Sequence, residues 1–191
     1  MDFLGLMKKR RSIRKFKQEA IPKEGLLNLI EPACFAHSLC NRQSLRFWIV
    51  MDPQRADFIY QHSSLGSVSD GEGGLTTEKF APPSYIAIST LGEPGNADFA
   101  DAGAAFQNMA IMSMEMNLGL FWIHAFSEKI IKSFLNLPEE QTIMAIIAVG
   151  RPAENPVAIN IDPTEVNQFF DSKEKFQKVP KLKTKYLINW R

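Results

Sequence analysis

The chain has 191 residues, 45% of them hydrophobic and 23% charged, with a net charge of +1. This balance is typical of a soluble globular protein with one sizeable core. It argues against nucleic-acid binding, which usually needs a strongly basic field. It also argues against a membrane protein, because no apolar run approaches the roughly 18 residues of a membrane span.

The predicted location is the cytoplasm. Met1-Asp2-Phe3 places no basic segment ahead of an apolar stretch, so no signal peptide is predicted. Cys34 and Cys40 are the two cysteines, and no metal-ligand spacing involves them. They are predicted to be reduced thiols, and no metal site is expected.

Hydrophobic periodicity predicts alternating helices and strands. Strand 45–51 is apolar apart from Arg46, which predicts a central strand. The loop over residues 66–74 is rich in glycine and is either a solvated connector or a flap over a site. In chain order the predicted elements are a helix near residues 3–7, an extended segment over 10–16, helix 22–36, strand 45–51, helix 57–62, strand 84–90, helix 98–117, strand 120–125, helix 127–135 and strand 142–149.

The C-terminal region differs in character from the rest. Residues 1–155 are predicted to form the core, and residues 156–191 an extended arm within the same single domain of residues 1–191. The arm carries several aromatic and aliphatic side chains, so it must lie on its own domain or on a second subunit. Helix 98–117 is apolar nearly all round, which suits the middle of a layered fold or a subunit interface.

The basic segment over residues 10–16 is the most distinctive stretch. If it is extended, Arg10, Ser12 and Arg14 share one face, because side chains alternate along such a backbone. Two guanidinium groups and a hydroxyl would bind phosphate or another delocalised anion. A solvated basic turn and a nucleic-acid patch are the alternatives.

Five segments, in this order, resemble the FMN-dependent nitroreductase family. Together they cover about residues 8 to 152. They are Arg10-Arg11-Ser12-Ile13-Arg14-Lys15-Phe16, residues 36–43 leading into strand 46–50, Asp101 to Met109, Leu118-Gly119-Leu120 running into residues 122–126, and Ile147 to Pro152. The chain departs from the family pattern at His37, where the family often has proline, and at Ser44, where it usually has proline. It also departs at His124-Ala125, where the family commonly has a Gly-Gly or Glu-Gly pair.

The resemblance implies an α+β fold with three α/β/α layers, a central mixed, mainly antiparallel sheet of four or five strands, and a domain-swapped C-terminal arm. It implies a homodimer with FMN between the subunits and NADH or NADPH as co-substrate. The implied reaction is ping-pong reduction of a nitroaromatic, quinone or similar small acceptor. Alternatives are another flavin reaction, such as enoate reduction or flavin destruction, and a flavin-binding module without turnover.

The resemblance also assigns roles to residues. Arg10 and Ser12 would hold the phosphate and ribityl oxygens, and Arg14 would lie by N1 and O2 of the ring. His124 is a possible substrate contact or a structural histidine, and Lys79 is a ring-edge cation or a solvated lysine. The implied cofactor-binding residues are Arg10, Arg11, Ser12, Arg14, Ser38, Asn41, Gln43, Lys79, Ile123, His124 and Ala125. One C-terminal lysine would also help hold the phosphate, with Lys178, Lys181, Lys183 and Lys185 as candidates.

Overall fold

The computed structural model describes residues 2–65, 78–165 and 177–189. The glycine-rich loop over residues 66–74, predicted as a connector or a flap, lies outside the described residues. The helices are α1 Phe3–Lys9, α2 Lys23–Cys34, α3 Pro53–Gln61, α4 Asn96–Glu115 and α5 Glu128–Phe134, and the strands are β1 Arg46–Val50, β2 Ser84–Leu91, β3 Gly119–Ile123, β4 Gln141–Gly150, β5 Val157–Ile161 and β6 Lys178–Leu182.

Four strands form the main sheet, in the order β1-β2-β4-β3. Every neighbouring pair in it is antiparallel. A parallel bridge between Ser12 and Leu120 adds one point of parallel pairing beside β3. The fold class is therefore confirmed: helices surround a mainly antiparallel sheet in an α+β arrangement.

Helices cover both faces of this sheet, and the alternation of side chains along the strands decides what each face holds. Ile86 and Ile147 point to the cluster that α2 and α4 complete. Tyr85 and Ile146 point to the opposite cluster, completed by α3 and α5. Burying each such aliphatic side chain contributes about 1.5–3 kcal/mol, so the two clusters hold the three layers together.

Strand β1 lies at an edge of the sheet, so the predicted central position was wrong. Trp48 and Val50 belong to one core cluster, and Phe47 and Ile49 pack against the other. The strand is apolar because helices cover both its faces. Hydrophobicity along a strand reports covered faces, and it does not report whether a neighbouring strand lies on each side.

The described parts of the C-terminal arm include two strands, β5 and β6, which pair in parallel. These two strands form a small sheet of their own. Pro180 is tolerated in β6 because a two-stranded sheet consists of edges, where a missing N–H need not break a ladder. Exchange of the arm between subunits stays a prediction.

Candidate active site beside strand β3

The basic segment runs along the free side of β3 in an extended conformation, as predicted. Helix α1 ends at Lys9, and the N–H of Ile13 donates to the carbonyl of Leu120 at 3.0 Å. Further along, the N–H of Phe16 donates to the carbonyl of Phe80, also at 3.0 Å. Backbone hydrogen bonds thus fix the position from which the basic side chains project.

Two glycines allow the basic segment to pack closely against the sheet. Gly119 and Gly150 are cross-strand partners in β3 and β4. A Cβ atom on Gly119 would lie 2.6 Å from Cγ1 of Ile13, and one on Gly150 would lie 2.9 Å from Cδ1 of Phe16. No side chain fits at either position without displacing the segment, so the glycines allow Ile13 and Phe16 to approach closely.

Glu154 holds the segment from the other side. Its carboxylate accepts hydrogen bonds from the backbone N–H groups of Arg14 and Lys15. The guanidinium of Arg14 lies over the ring of Phe121, 4.7 Å from its centroid. Burial lowers the pKa of Arg14, and the nearby charge of Glu154 acts in the opposite direction. Arg14 is therefore a half-buried, oriented cation next to the middle of β3.

Arg10, Arg11 and Lys181 bring three positive charges together. Burial lowers the pKa of Arg10, of Arg11 and of Lys181. Repulsion from Arg10 lowers the pKa of Arg11 further, and repulsion from Arg11 and Arg10 lowers that of Lys181. Burial is the larger cause of these pKa shifts, and like charges add to it at Arg11 and Lys181. Half-buried cations of this kind fit a dianionic group such as a phosphate monoester.

Arg11 differs from its neighbours in how its side chain is used. Its guanidinium donates to the carbonyl of Lys8 at 2.6 Å and to the carbonyl of Arg10. These carbonyls lie at the C-terminal end of α1, where a cation is favourable. Arg11 therefore stabilises the end of the helix and contributes charge to the cluster from there.

Lys79 lies at the other end of the basic segment. Its Nζ is 5.6 Å from the centroid of the Phe80 ring, and Nζ of Lys15 is 5.7 Å from the same centroid. Both lysines therefore face the ring of a residue that is bonded to the basic segment. This position is compatible with the role predicted for Lys79 as a cation at the edge of the flavin ring.

Ile123 is the last residue of β3, and His124 and Ala125 follow it directly. Ile123 is buried, whereas His124 and Ala125 are exposed. The carbonyl of Ala125 accepts from the N–H of Ser64 at 2.9 Å. The structure thus brings these three residues to the same strand that carries the basic segment.

The predicted site residues Ser38, Asn41 and Gln43 lie elsewhere, in the loop between α2 and β1. The side-chain amide of Gln43 donates to Oδ1 of Asn41 at 3.0 Å, and the N–H of Gln43 lies 3.3 Å from the hydroxyl of Ser38. This loop is bonded to Asp101, in the second turn of α4.

The length of helix α4 gives the separation between the loop and the end of the basic segment at Arg11. Its second turn contacts the loop through Asp101, whereas Met114, near its other end, lines a cavity together with Arg11. At 1.5 Å rise per residue, Asp101 and Met114 are about 20 Å apart along the helix. The loop with Asn41 and Gln43 therefore lies about 20 Å along α4 from the Arg11 end of the basic segment.

Four residues with defined contacts at these places were not predicted as site residues. Lys181 could not be chosen among the C-terminal lysines, because a sequence does not show which lysine the pairing of β5 with β6 turns towards Arg10. Glu154 carried no motif. Asp98 and Asp101 were assigned no role beyond helix α4, although two carboxylates three residues apart lie on one helix face.

The family model described as Nitroreductase family matches residues 7–151. The chain belongs to the nitroreductase family. The matched region begins in α1 and ends at Arg151, so it includes the basic segment, the loop with Asn41 and Gln43, and all of the main sheet.

Relatives support this membership over most of the chain. A Bacillus subtilis protein assigned by name to the NAD(P)H nitroreductases is 26% identical over 166 residues, which span 79% of this chain and 84% of that protein. The crystal structure of a nitroreductase family protein from Clostridium novyi NT has a TM-score of 0.68 and 25% identity, with 80% of this chain and 86% of that chain covered. A nitroreductase from Desulfovibrio desulfuricans in complex with FMN has a TM-score of 0.68 and 26% identity, with coverage of 87% and 95%.

Two further features of the described residues bear on the kind of protein. In residues 2–65, 78–165 and 177–189, no helix is long and apolar enough to cross a membrane. Over the same residues, no group of three or more histidine, cysteine or acidic side chains could hold a metal ion.

Proposed function

We propose that this protein is an FMN-dependent oxidoreductase that uses NADH or NADPH to reduce a nitroaromatic, a quinone or a similar small acceptor. Membership of the nitroreductase family supports the reaction class. The observation that carries the cofactor proposal is the cluster of Arg10, Arg11 and Lys181, whose mutual repulsion an anion would relieve. A flavin with a phosphate matches this cluster better than one without.

Different residues beside β3 would bind different parts of the cofactor. Arg10, Ser12 and Lys181 would hold the phosphate and the ribityl oxygens through charge-assisted hydrogen bonds. Arg14 and Lys79 would lie at the edge of the ring where negative charge collects. Bound FMN would supply the redox chemistry: it would accept hydride from NAD(P)H and then donate it to the acceptor, in two half-reactions at one pocket.

This chain would contribute backbone hydrogen bonds and fixed charges to the reaction, rather than a catalytic acid or base. Residues 123–125 would pass beside N5 of the ring, with a backbone N–H as hydrogen-bond donor. His124 is exposed, so it can face a substrate. Protons would come from water or from the cofactor, and no side chain is needed to transfer them.

The working unit we propose is a homodimer. Asn41 and Gln43 lie about 20 Å along α4 from the end near the basic segment, so they would reach the flavin held by a second copy. Exposed apolar side chains near the loop and in α1 support burial against such a copy: Phe35 is 80% exposed and Phe3 is 63% exposed. Obligate interfaces typically bury more than about 2,000 Å² of largely apolar surface.

The test is flavin loading followed by turnover. The purified protein should be yellow, lose its visible colour with NADH or NADPH under anaerobic conditions, and regain it with a nitroaromatic or a quinone. Initial rates at several acceptor concentrations should give parallel double-reciprocal lines, and light scattering should give the mass of a dimer. Colour that persists with both nucleotides would instead indicate a flavin-binding module, and a colourless protein that cannot be loaded with FMN would contradict the proposal.

Arg14→Gln should lower the reduction potential of the bound flavin and leave most of the flavin bound. A fixed cation by N1 and O2 stabilises the reduced, negatively charged cofactor more than the neutral oxidised one, and only this difference shifts the potential. Such a cation is worth about 1–2 kcal/mol, which corresponds to about 20–45 mV for two electrons. The measurement is the midpoint potential of both proteins.

Glu154→Gln is the matched variant, and it should change the reduction potential in the opposite direction. The amide oxygen of glutamine can still accept from the N–H groups that Glu154 binds, but the negative charge beside Arg14 is removed. The potential should therefore rise. If Arg14→Gln loses FMN while the potential of the remaining flavin is unchanged, Arg14 binds the phosphate or ribityl chain, and the proposed placement of the ring is wrong.

A further inference from the structure

The loop between α2 and β1 holds three residues other than glycine in the left-handed region. The φ angles are 51° at Cys40, 54° at Asn41 and 50° at Gln43. Residues with a Cβ adopt this region rarely, although asparagine tolerates it best. Three such residues within four positions keep one conformation only where contacts from outside the loop impose it.

Asp101 of α4 supplies the contact at the start of this strained stretch. Its side chain is buried, and its carboxylate accepts from the N–H of Leu39 at 3.0 Å and 3.3 Å from the two oxygens. Leu39 directly precedes Cys40, the first left-handed residue. The backbone therefore enters the stretch from a fixed point on the helix.

Asp98, one turn earlier on the same face of α4, supplies the contact at the end. Its Oδ1 accepts from the hydroxyl of Ser44 at 2.9 Å and from the guanidinium of Arg42 at 3.3 Å. Its Oδ2 accepts from the N–H of Gly95 at 2.9 Å. That backbone bond, together with Ser44 and Arg42, lowers the pKa of Asp98, so the carboxylate is ionised at neutral pH.

We infer that Asp98 and Asp101 are positioning residues for flavin binding, because they fix both ends of the strained loop that presents Asn41 and Gln43. The inference rests on the proposed function. Between the two fixed points the side chains of Asn41 and Gln43 are bonded to each other, so they hold one arrangement as a pair. The first turns of α4 thus set the geometry of the half of the site that a second copy would use.

Ser44 gives this chain its own way of ending the loop. Serine, unlike proline, has no ring that fixes φ. The hydroxyl of Ser44 is bonded to Asp98. The carboxylate therefore provides the restraint at this end of the loop.

The test compares FMN and riboflavin binding by fluorescence quenching in the full-length protein. Asp101→Ala leaves the N–H of Leu39 without its acceptor, so affinity should fall about tenfold, equal to about 1.4 kcal/mol. Ser44→Ala should also lower the affinity, without removing the hydrogen bond that Asp98 accepts from the N–H of Gly95 at the start of α4. Both ligands should weaken by the same factor, because the loop would contact the ring or the ribityl chain, and riboflavin lacks only the phosphate.

Asp101→Asn separates positioning from a general structural role. The amide oxygen still accepts from Leu39, so affinity should stay within about threefold of wild type. Glu139→Ala, an exposed carboxylate in the turn before β4, is the control and should change nothing. Urea unfolding of the flavin-free variants supplies the second readout, and the loss of flavin affinity in Asp101→Ala should exceed any loss of stability.

Two results would overturn the inference with the proposed function intact. One is wild-type affinity in Asp101→Ala. The other is equal weakening in Asp101→Asn and Asp101→Ala, in proportion to a loss of stability in urea. A wild-type protein that binds neither flavin would overturn the proposed function, and this inference with it.

Discussion

Arg10→Ala should weaken FMN binding by roughly tenfold to a hundredfold. Arg10 is half-buried in the cluster with Arg11 and Lys181, where burial and repulsion already lower the pKa values of the neighbouring cations. A charge-assisted contact to phosphate in such a place is worth about 1.5–3 kcal/mol. Titration of the flavin-free protein with FMN, followed by flavin fluorescence, measures the change.

Riboflavin provides the control for the phosphate. It lacks the phosphate, so Arg10→Ala should weaken riboflavin binding much less than it weakens FMN binding. Lys181→Ala should reproduce the loss for FMN, whereas Lys23→Ala, an exposed lysine at the start of α2, should not. An unchanged dissociation constant for FMN in Arg10→Ala would remove the basic segment from the cofactor site.

Gly119→Ala should destabilise the protein by about 1–3 kcal/mol and weaken FMN binding at the same time. The new methyl group would lie 2.6 Å from Cγ1 and 2.7 Å from Cβ of Ile13. Ile13 is bonded through its backbone to β3, so the basic segment must move as a whole to relieve the clash. Urea unfolding and FMN titration measure the two effects.

Gly25→Ala is the matched control, since a Cβ there meets Ile21 at an ordinary 3.4 Å. Alanine is the better helix former by about 0.8–1.0 kcal/mol, so this variant should be as stable as wild type or more stable. Its FMN affinity should not change. If Gly119→Ala unfolds like wild type and still binds FMN tightly, the segment is not seated on the sheet as described.

The order and type of most elements in residues 2–65 and 78–165 could be predicted, because their hydrophobic periods are regular. Helix α4 was predicted over residues 98–117 and spans Asn96–Glu115. The edge position of β1 could not be predicted, since helices cover both faces of that strand and hide the difference between edge and centre. The pairing of β5 with β6 was missed because Pro180 and the lysines of β6 do not resemble a strand, although Val157, Ile159 and Ile161 alternate in β5.

Local motifs predict part of the candidate site, and they do not predict how its residues come together. The resemblance carried the basic segment, the loop and residues 123–125, which are local motifs. It did not select Lys181 among the C-terminal lysines, because the effect of Arg11 and Arg10 on the pKa of Lys181 depends on how the arm folds. It also assigned no role at the loop to Asp98 and Asp101. Asp98 accepts from the Ser44 hydroxyl and Asp101 from the N–H of Leu39, and hydrogen bonds across more than 50 residues leave no local pattern.

The placement of the loop and the basic segment at opposite ends of α4 has a genetic consequence. In the proposed homodimer each flavin would meet the basic segment of one copy and the loop of the other. A mixed dimer of Arg10→Ala and Asp101→Ala copies would collect both defects at one flavin and none at the other. Two alleles that fail separately would therefore complement each other, and they would do so through one fully native site in each mixed dimer.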